Sequence, residues 1–153
     1  MKCAIVLFVY NRLDHTQQTV EALLTNENVS DFPLYIFLDG PKNESVVKNV
    51  QDVRDFIHTI KGFQTVELFE SETNRGLAKS IITGVSKILE LYESVIVLED
   101  DIVTAPGFLN YMYQSLQFHL NNKKVFSISG YSYPSNLYKI PKDYYWDVYY
   151  TAR

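Results

Sequence analysis

The sequence predicts an α/β fold: a mostly parallel sheet flanked by helices. Three observations predict it. Short, nearly continuous apolar runs suit strands covered on both faces, apolar residues recur at helical spacing between those runs, and the two kinds of segment alternate along the chain. Parallel strands need crossover connections, which the intervening helices supply.

The first run, Ala4–Tyr10 (AIVLFVY), leads into a helix that Asp14 can cap, with Thr16, Val20, Leu23 and Leu24 on its apolar face. Leu34–Leu38 (LYIFL) is the second strand. After Asn43, the residues Val46, Val47, Val50, Val53, Ile57 and Ile60 mark a second helix. Val66–Phe69 (VELF) is the third strand. After Asn74, the residues Leu77, Ile81, Ile82, Val85, Ile88, Leu89 and Tyr92 form the cleanest amphipathic pattern in the chain. Val95–Leu98 (VIVL) is the fourth strand. Thr104-Ala105-Pro106 then opens a helix running to about Leu120, with Pro106 near the first turn, where a missing N–H costs nothing. Val125–Ser129 is a fifth strand candidate. No internal repeat, low-complexity segment or linker interrupts this order.

The chain has 153 residues, 46% hydrophobic and 21% charged, which suits one globular domain with a full core. Its net charge of −4 argues against broad nucleic-acid binding, which needs a basic footprint. No apolar run reaches the ~18 residues of a membrane span. Met1-Lys2 passes straight into the first strand with no small-residue cleavage site after it, so the expectation is no signal peptide and a cytoplasmic address. Asn28-Val29-Ser30 and Asn43-Glu44-Ser45 match the glycosylation pattern but carry no weight without secretion. The single Cys3 excludes an internal disulfide and reads as a small hydrophobe at the start of the first strand. His15, His58 and His119 have no ligand spacing, and no GxSxG, P-loop or GxGxxG is present.

In parallel sheets ligands sit outside the carboxyl ends of the strands, where strand order reverses. All four ends are polar or charged here: Tyr10-Asn11-Arg12, Asp39-Gly40-Pro41-Lys42, Asn74-Arg75-Gly76-Leu77-Ala78-Lys79 and Glu99-Asp100-Asp101. Together they suit an anionic ligand held with the help of a cation. Three adjacent carboxylates repel one another unless something positive neutralises them. In extended chain Glu99 and Asp101 project to one side and Asp100 to the other. Such a group suits a hard divalent cation that keeps waters and takes further ligands from substrate phosphates; it equally suits a solvated acidic turn. The Asn74–Lys79 stretch opens a helix, so backbone N–H groups and two cations face one place, as at phosphate sites; a plain Asn cap with a Gly turn would look the same. Asp39 could accept from a base N–H or start a turn. Arg12 could sit by a base or diphosphate, or form a surface ion pair.

The stretches IVLFVYNRLDHT, LYIFLDGPK, NRGLAKSIITGV and VIVLEDDIVTAPGFLNYM, in this order and spacing over residues 4 to about 113, resemble glycosyltransferases of the GT-A fold. The resemblance is to family-2-like enzymes and the related N-acetylglucosaminyltransferase I group; Leu13 departs from it, since many relatives carry Pro there. It implies a Rossmann-like sheet that binds a nucleotide-diphosphate sugar, most simply a UDP-sugar, with Mn²⁺ or Mg²⁺, and transfers the sugar to a saccharide or other hydroxyl acceptor. By that resemblance Tyr10, Asn11 and Arg12 lie along the nucleotide and Asp39 holds the base. Asn74, Arg75, Gly76, Leu77 and Lys79 approach the base, ribose and diphosphate. Glu99-Asp100-Asp101 is then the acidic DXD element, with Asp101 on the metal, Asp100 on ribose, and Glu99 on the donor sugar or ribose. A metal there offsets the charge of the departing diphosphate.

Residues 1–130 are accordingly expected to form the nucleotide-sugar-binding core, and 131–153 an aromatic tail leading toward an acceptor region. That tail holds seven of the twelve tyrosines, together with Trp146. Its only carboxylates, Asp143 and Asp147, make no convincing catalytic base, so the base stays unassigned. The expectation is a donor-binding half of a longer enzyme. Two other readings stay open: a fragment that binds nucleotide without catalysis, and a metal-dependent nucleotidyltransferase. The missing Gly- and basic-rich triphosphate loop counts against the second.

Overall fold

A computed structural model describes residues 2–131 of the chain. The element order is β1 (Cys3–Val9), α1 (Leu13–Leu24), β2 (Leu34–Leu38), α2 (Val47–Ile57), β3 (Val66–Glu70), α3 (Leu77–Leu89), β4 (Ser94–Glu99) and α4 (Phe108–His119), with short 3₁₀ turns at Val29–Asp31 and Glu44–Val46. The four strands form one sheet in the order β3-β2-β1-β4, and every pairing is parallel. The predicted α/β class, and all four of the principal strands, are therefore present.

The apolar runs explain the central strands. All seven residues of β1 are buried, as a middle strand covered on both faces requires. Alternation decides which face each residue serves. Ile5, Leu7 and Val9 of β1 join Leu34, Ile36, Leu38, Ile96 and Leu98 on one face, beneath Val20 and Leu23 of α1, Val50, Val53 and Ile57 of α2, and Leu109 and Met112 of α4. Ala4, Val6, Phe8 and Tyr35 form the other face with Ile88 of α3. That second face carries an aromatic row: Phe8 stacks on Phe37 at 5.3 Å and Phe37 on Phe69 at 4.7 Å, between ring centroids. α3 can approach it closely because residue 84 is glycine; a Cβ there would lie 2.9 Å from the Phe8 ring.

Several expectations need correction. Val125–Ser129 is not a strand: Val125 donates to the Asn122 carbonyl in a turn, and Phe126 is 97% exposed. Among the described residues, its apolar residues lie beyond α4 with no strand beside them. Asp14 stands inside α1 rather than capping it; Arg12 is the N-cap residue and no side chain caps the helix. Leu24 is exposed, and the buried stripe of α1 is Thr16, Thr19, Val20 and Leu23. Val46 and Val47 precede the buried part of α2, and Ile60 follows the helix. Pro106 lies in the turn before α4, not in its first helical turn. The cleanest amphipathic pattern is also the least buried: α3 buries Gly84 and Ile88, whereas Leu77, Ile82 and Leu89 are exposed. Periodicity reported a helix correctly but not how much of its apolar face the sheet covers.

Candidate functional site

Strand order reverses between β1 and β4: the chain runs outward from β1 to β2 and β3, then returns to the other side of β1. That is the switch point where parallel sheets leave a crevice at the carboxyl ends of the strands. The register brings the charged ends level with one another. Glu99 pairs with Phe8, and Phe8 pairs with Phe37, so Asp39, Tyr10 and the acidic triplet all follow at the same edge.

A cleft of about 300 Å³ opens there. Its floor is Phe8, Val9 and Phe37; Tyr10, Arg12, Asp39, Asn74, Gly76, Leu77, Glu99 and Asp100 stand around it. Eight of the expected site residues thus converge. Asn11, Arg75, Lys79 and Asp101 lie outside the lining, although Asp101 and Arg75 are bonded to residues within it. A larger cleft of about 610 Å³, between Lys2, Phe32, Gln64 and Tyr92, lies away from these charged strand ends. The smaller one is the better candidate, because it stands where the topology and the charge coincide.

The acidic turn departs from the extended geometry expected of it. β4 ends at Glu99, and Ile102 donates to the Glu99 carbonyl at 3.3 Å, so Asp100 and Asp101 lie in a turn. They do not face opposite sides; both reach Arg12. The Arg12 Nη2 donates to Asp100 Oδ1 in a short ion pair and to Asp101 Oδ2 at 3.1 Å. The hydrogen bond to Asp100 leads in raising the guanidinium pKa above its ordinary value. The Asp100 side chain is only 6% exposed, and its Oδ2 has no hydrogen-bond partner. A buried carboxylate oxygen left unpartnered is costly, and so marks a place for a ligand or cation.

α1 supports that turn. The Thr19 hydroxyl donates to the Asp100 backbone carbonyl at 3.0 Å from a fully buried position, and the Thr16 hydroxyl donates to the Arg12 carbonyl at 2.9 Å. Sequence reasoning read the Thr16 position as core and missed Thr19. A Thr in the polar gaps of an otherwise apolar stripe was the only available signal.

The opposite wall hangs on Asp39. Its Oδ1 accepts the Arg75 N–H at 2.8 Å and the Gly40 N–H at 3.0 Å, and its Oδ2 accepts the Gly76 N–H at 2.9 Å. Asn74 does not cap α3; its Nδ2 donates to the Gly40 carbonyl at 2.9 Å, a second tie between the two loops. Gly76 is the N-cap residue with φ of +82°, a conformation that glycine adopts without steric cost. The Arg75 side chain turns away, its Nε donating to Ser71 at 3.1 Å. Tyr10 is fixed by accepting the Lys42 N–H at 3.0 Å. Lys42 and Ser80 line the cleft and were not among the expected contacts.

Among the described residues, no three His, Cys, Asp or Glu side chains gather closely enough to form a metal cage. The donor set nevertheless fits a hard divalent cation of the kind that takes one or two carboxylates and completes its shell with waters and substrate phosphates. Asp101 is exposed and adjacent, and Asp100 offers the unpartnered oxygen. Cys3 is buried, and burial pushes its thiol pKa up, so it offers no nucleophile here. His58 is engaged with Glu70 at 2.7 Å, and His119 lies in the last turn of α4. Asp143, Asp147 and the aromatic tail beyond Tyr131 lie outside the described residues. Among the described residues no helix is long and apolar enough to cross a membrane.

The sequence model for glycosyl transferase family 2 matches residues 4–153. No curated protein sequence matches the chain. Among solved structures, TarS from S. aureus is similar with a TM-score of 0.53 and 15% identity, over 78% of this chain and 20% of that one. The mannosyltransferase PcManGT from Pyrobaculum calidifontis, solved in complex with GDP-Man and Mn²⁺, is similar with a TM-score of 0.53 and 12% identity, over 75% of this chain and 32% of that one. The chain therefore spans about a fifth and a third of these two proteins, and the likeness is one of GT-A-like fold. These comparisons favour family 2 and lend no support to the N-acetylglucosaminyltransferase I group.

Proposed function

Because the chain belongs to glycosyl transferase family 2, we propose that its cleft binds the nucleotide-diphosphate part of a sugar donor for transfer of the sugar to an acceptor hydroxyl. The observation that carries this reading is Asp100: buried, one oxygen on Arg12 and the other unpartnered, at the switch-point cleft whose other wall is the Asp39-tied turn. The family argues against the nucleotidyltransferase alternative.

In this reading the base lies against Asp39 and the Asn74–Leu77 turn, with Tyr10 and Asn11 along the nucleotide. Each carboxylate oxygen has more than one lone-pair site, so Asp39 Oδ2 can hold Gly76 and still accept a base N–H. Uracil, thymine and guanine each present a ring N–H that suits it; adenine and cytosine present an acceptor there. The Arg75 side chain is turned to Ser71 and Lys79 stands outside the lining, so the backbone of the Asn74–Leu77 turn, rather than these two cations, faces the nucleotide. Asp100 and Glu99 reach ribose and donor sugar, and Asp101 is the metal ligand. A bound Mn²⁺ or Mg²⁺ would offset charge on the departing diphosphate. The reaction breaks the bond from the sugar carbon to the diphosphate and forms one to the acceptor oxygen, whose proton goes to a base not assigned among the described residues. Residues 1–130 serve as the donor-binding core, with the acceptor handled elsewhere.

The GDP-Man of the mannosyltransferase belongs to that protein, but the Asp39 chemistry admits a GDP-sugar as readily as a UDP-sugar. Calorimetric titration with UDP-, GDP-, dTDP-, ADP- and CDP-sugars in the presence of Mn²⁺ tests the reading. Binding of at least one of the first three, in preference to the last two, is the expected result. Absence of binding by all five would overturn it. Binding without release of sugar to any acceptor would favour the non-catalytic alternative.

A further inference from the structure

Arg12 is placed as no lone surface arginine needs to be. It is the N-cap residue of α1, three residues past the end of β1, and one of its two terminal nitrogens, Nη2, bridges two carboxylates from the end of β4, 88 and 89 residues away. Of the five donors of the guanidinium, those on Nη2 make both contacts. The group takes one oxygen from each carboxylate and leaves Asp100 Oδ2 buried without a partner. The Arg12 side chain itself is 44% exposed and has room to move.

We propose that Arg12 is a resident counter-cation that stands in the divalent-cation position of the unliganded protein, and must leave Asp101 before a metal ion can bind there. The inference rests on the reading of the cleft as a nucleotide-diphosphate site. A divalent ion at Asp101 Oδ2 competes for an oxygen that Arg12 already holds at 3.1 Å, and two cations that close repel. A diphosphate in the cleft changes the balance, because it offers the planar guanidinium of Arg12 an anionic partner that two N–H groups can hold at once. Metal and nucleotide then favour each other's binding through a side chain that changes partners, and linkage requires the effect to be reciprocal. The free protein keeps its acidic turn partly neutralised and discriminates against metal alone.

The test is Mn²⁺ affinity of the full 153-residue chain without nucleotide, by calorimetry, for wild type, Arg12→Gln, Arg12→Lys and Asp101→Asn. Arg12→Gln should bind Mn²⁺ on the order of tenfold more tightly than wild type. Arg12→Lys, which keeps the charge, should stay near wild type, and Asp101→Asn should lose the site. Equal or weaker Mn²⁺ binding by Arg12→Gln overturns the inference, and so does a failure of every variant to bind Mn²⁺. Removing Arg12 also strips Asp100 of its partner, so a second measurement uses the unaltered chain. The Arg12 side-chain N–H signal in NMR, assigned by its loss in Arg12→Lys, should shift when GDP or UDP is added with Mg²⁺; an unmoved signal in a nucleotide-bound sample overturns the inference. Nucleotide binding measured in the same samples keeps the two claims apart: if wild type binds nucleotide with metal while Arg12→Gln gains nothing, only the counter-cation role fails.

Discussion

The Asp39 carboxylate at the end of β2 accepts the Gly76 backbone N–H at 2.9 Å, joining two loops 37 residues apart. With the Arg75 N–H at 2.8 Å on its other oxygen, one side chain sets the conformation of the turn that opens α3. The residue read as a base contact is therefore first a structural tie, and any base it holds must share it.

Asp39→Ala should accordingly lower stability as well as nucleotide affinity. Three backbone donors, the N–H groups of Gly40, Arg75 and Gly76, lose their acceptor, at a cost of about 1–3 kcal/mol. Urea unfolding followed by circular dichroism measures the first effect and calorimetry the second. A loss of nucleotide binding at unchanged stability would show that the tie is dispensable.

Thr19→Val should detach α1 from the acidic turn. The substitution is close to isosteric, but it removes the donor to the buried Asp100 carbonyl at 3.0 Å. The expected loss is about 1 kcal/mol in urea unfolding, with weaker nucleotide binding than a core substitution of equal cost elsewhere. A Val20→Ala variant provides that comparison, since Val20 packs in the core and no side-chain hydrogen bond is lost with it.

Alkaline pH should unfold the protein partly through Tyr35. Its hydroxyl lies 3.0 Å from that of Tyr92, the residue is 4% exposed, and burial is the leading cause that raises its pKa above the ordinary phenol value. Below pH ~10 both folded and unfolded chains keep the proton and stability is unaffected. Above it the unfolded chain releases the proton first, so the folded state binds more protons and stability falls as pH rises. Tyr35→Phe should make that fall shallower by up to about 1.4 kcal/mol per pH unit, although it also removes the bond to Tyr92. Urea unfolding at intervals from pH 8 to 11 measures the slope; identical slopes in both proteins would assign the effect to another group.

The strands were legible because their signal is local: a run such as Ile5-Val6-Leu7-Phe8-Val9 can hardly be anything but a covered strand once helices flank it. The positions of the charged ends followed from topology, since a parallel sheet puts every strand's carboxyl end at one edge. What the sequence could not show was pairing across distance. Arg12 looked like any solvent-facing arginine until β1 and β4 were set side by side. Asp39 binds backbone N–H groups, which carry no side-chain signature at Arg75 or Gly76. Val125–Ser129 reads as a strand, but among the described residues it has no neighbour to pair with. α3 misled in a different way, since among the described residues the sheet covers Gly84 and Ile88 of its apolar stripe and leaves Leu77, Ile82 and Leu89 exposed.

The central claim is that the acidic turn and the Asp39-tied turn form one metal-assisted donor site, and Asp101 tests it most directly. Asp101 is exposed, so Asp101→Asn should fold as wild type does. Titration of the best-binding nucleotide sugar into wild type and Asp101→Asn, each with Mn²⁺ and with chelator, is the measurement. The account predicts that wild type binds at least tenfold more tightly with Mn²⁺ than with chelator, and that the substitution removes this difference. Equal affinity in all four titrations would contradict it.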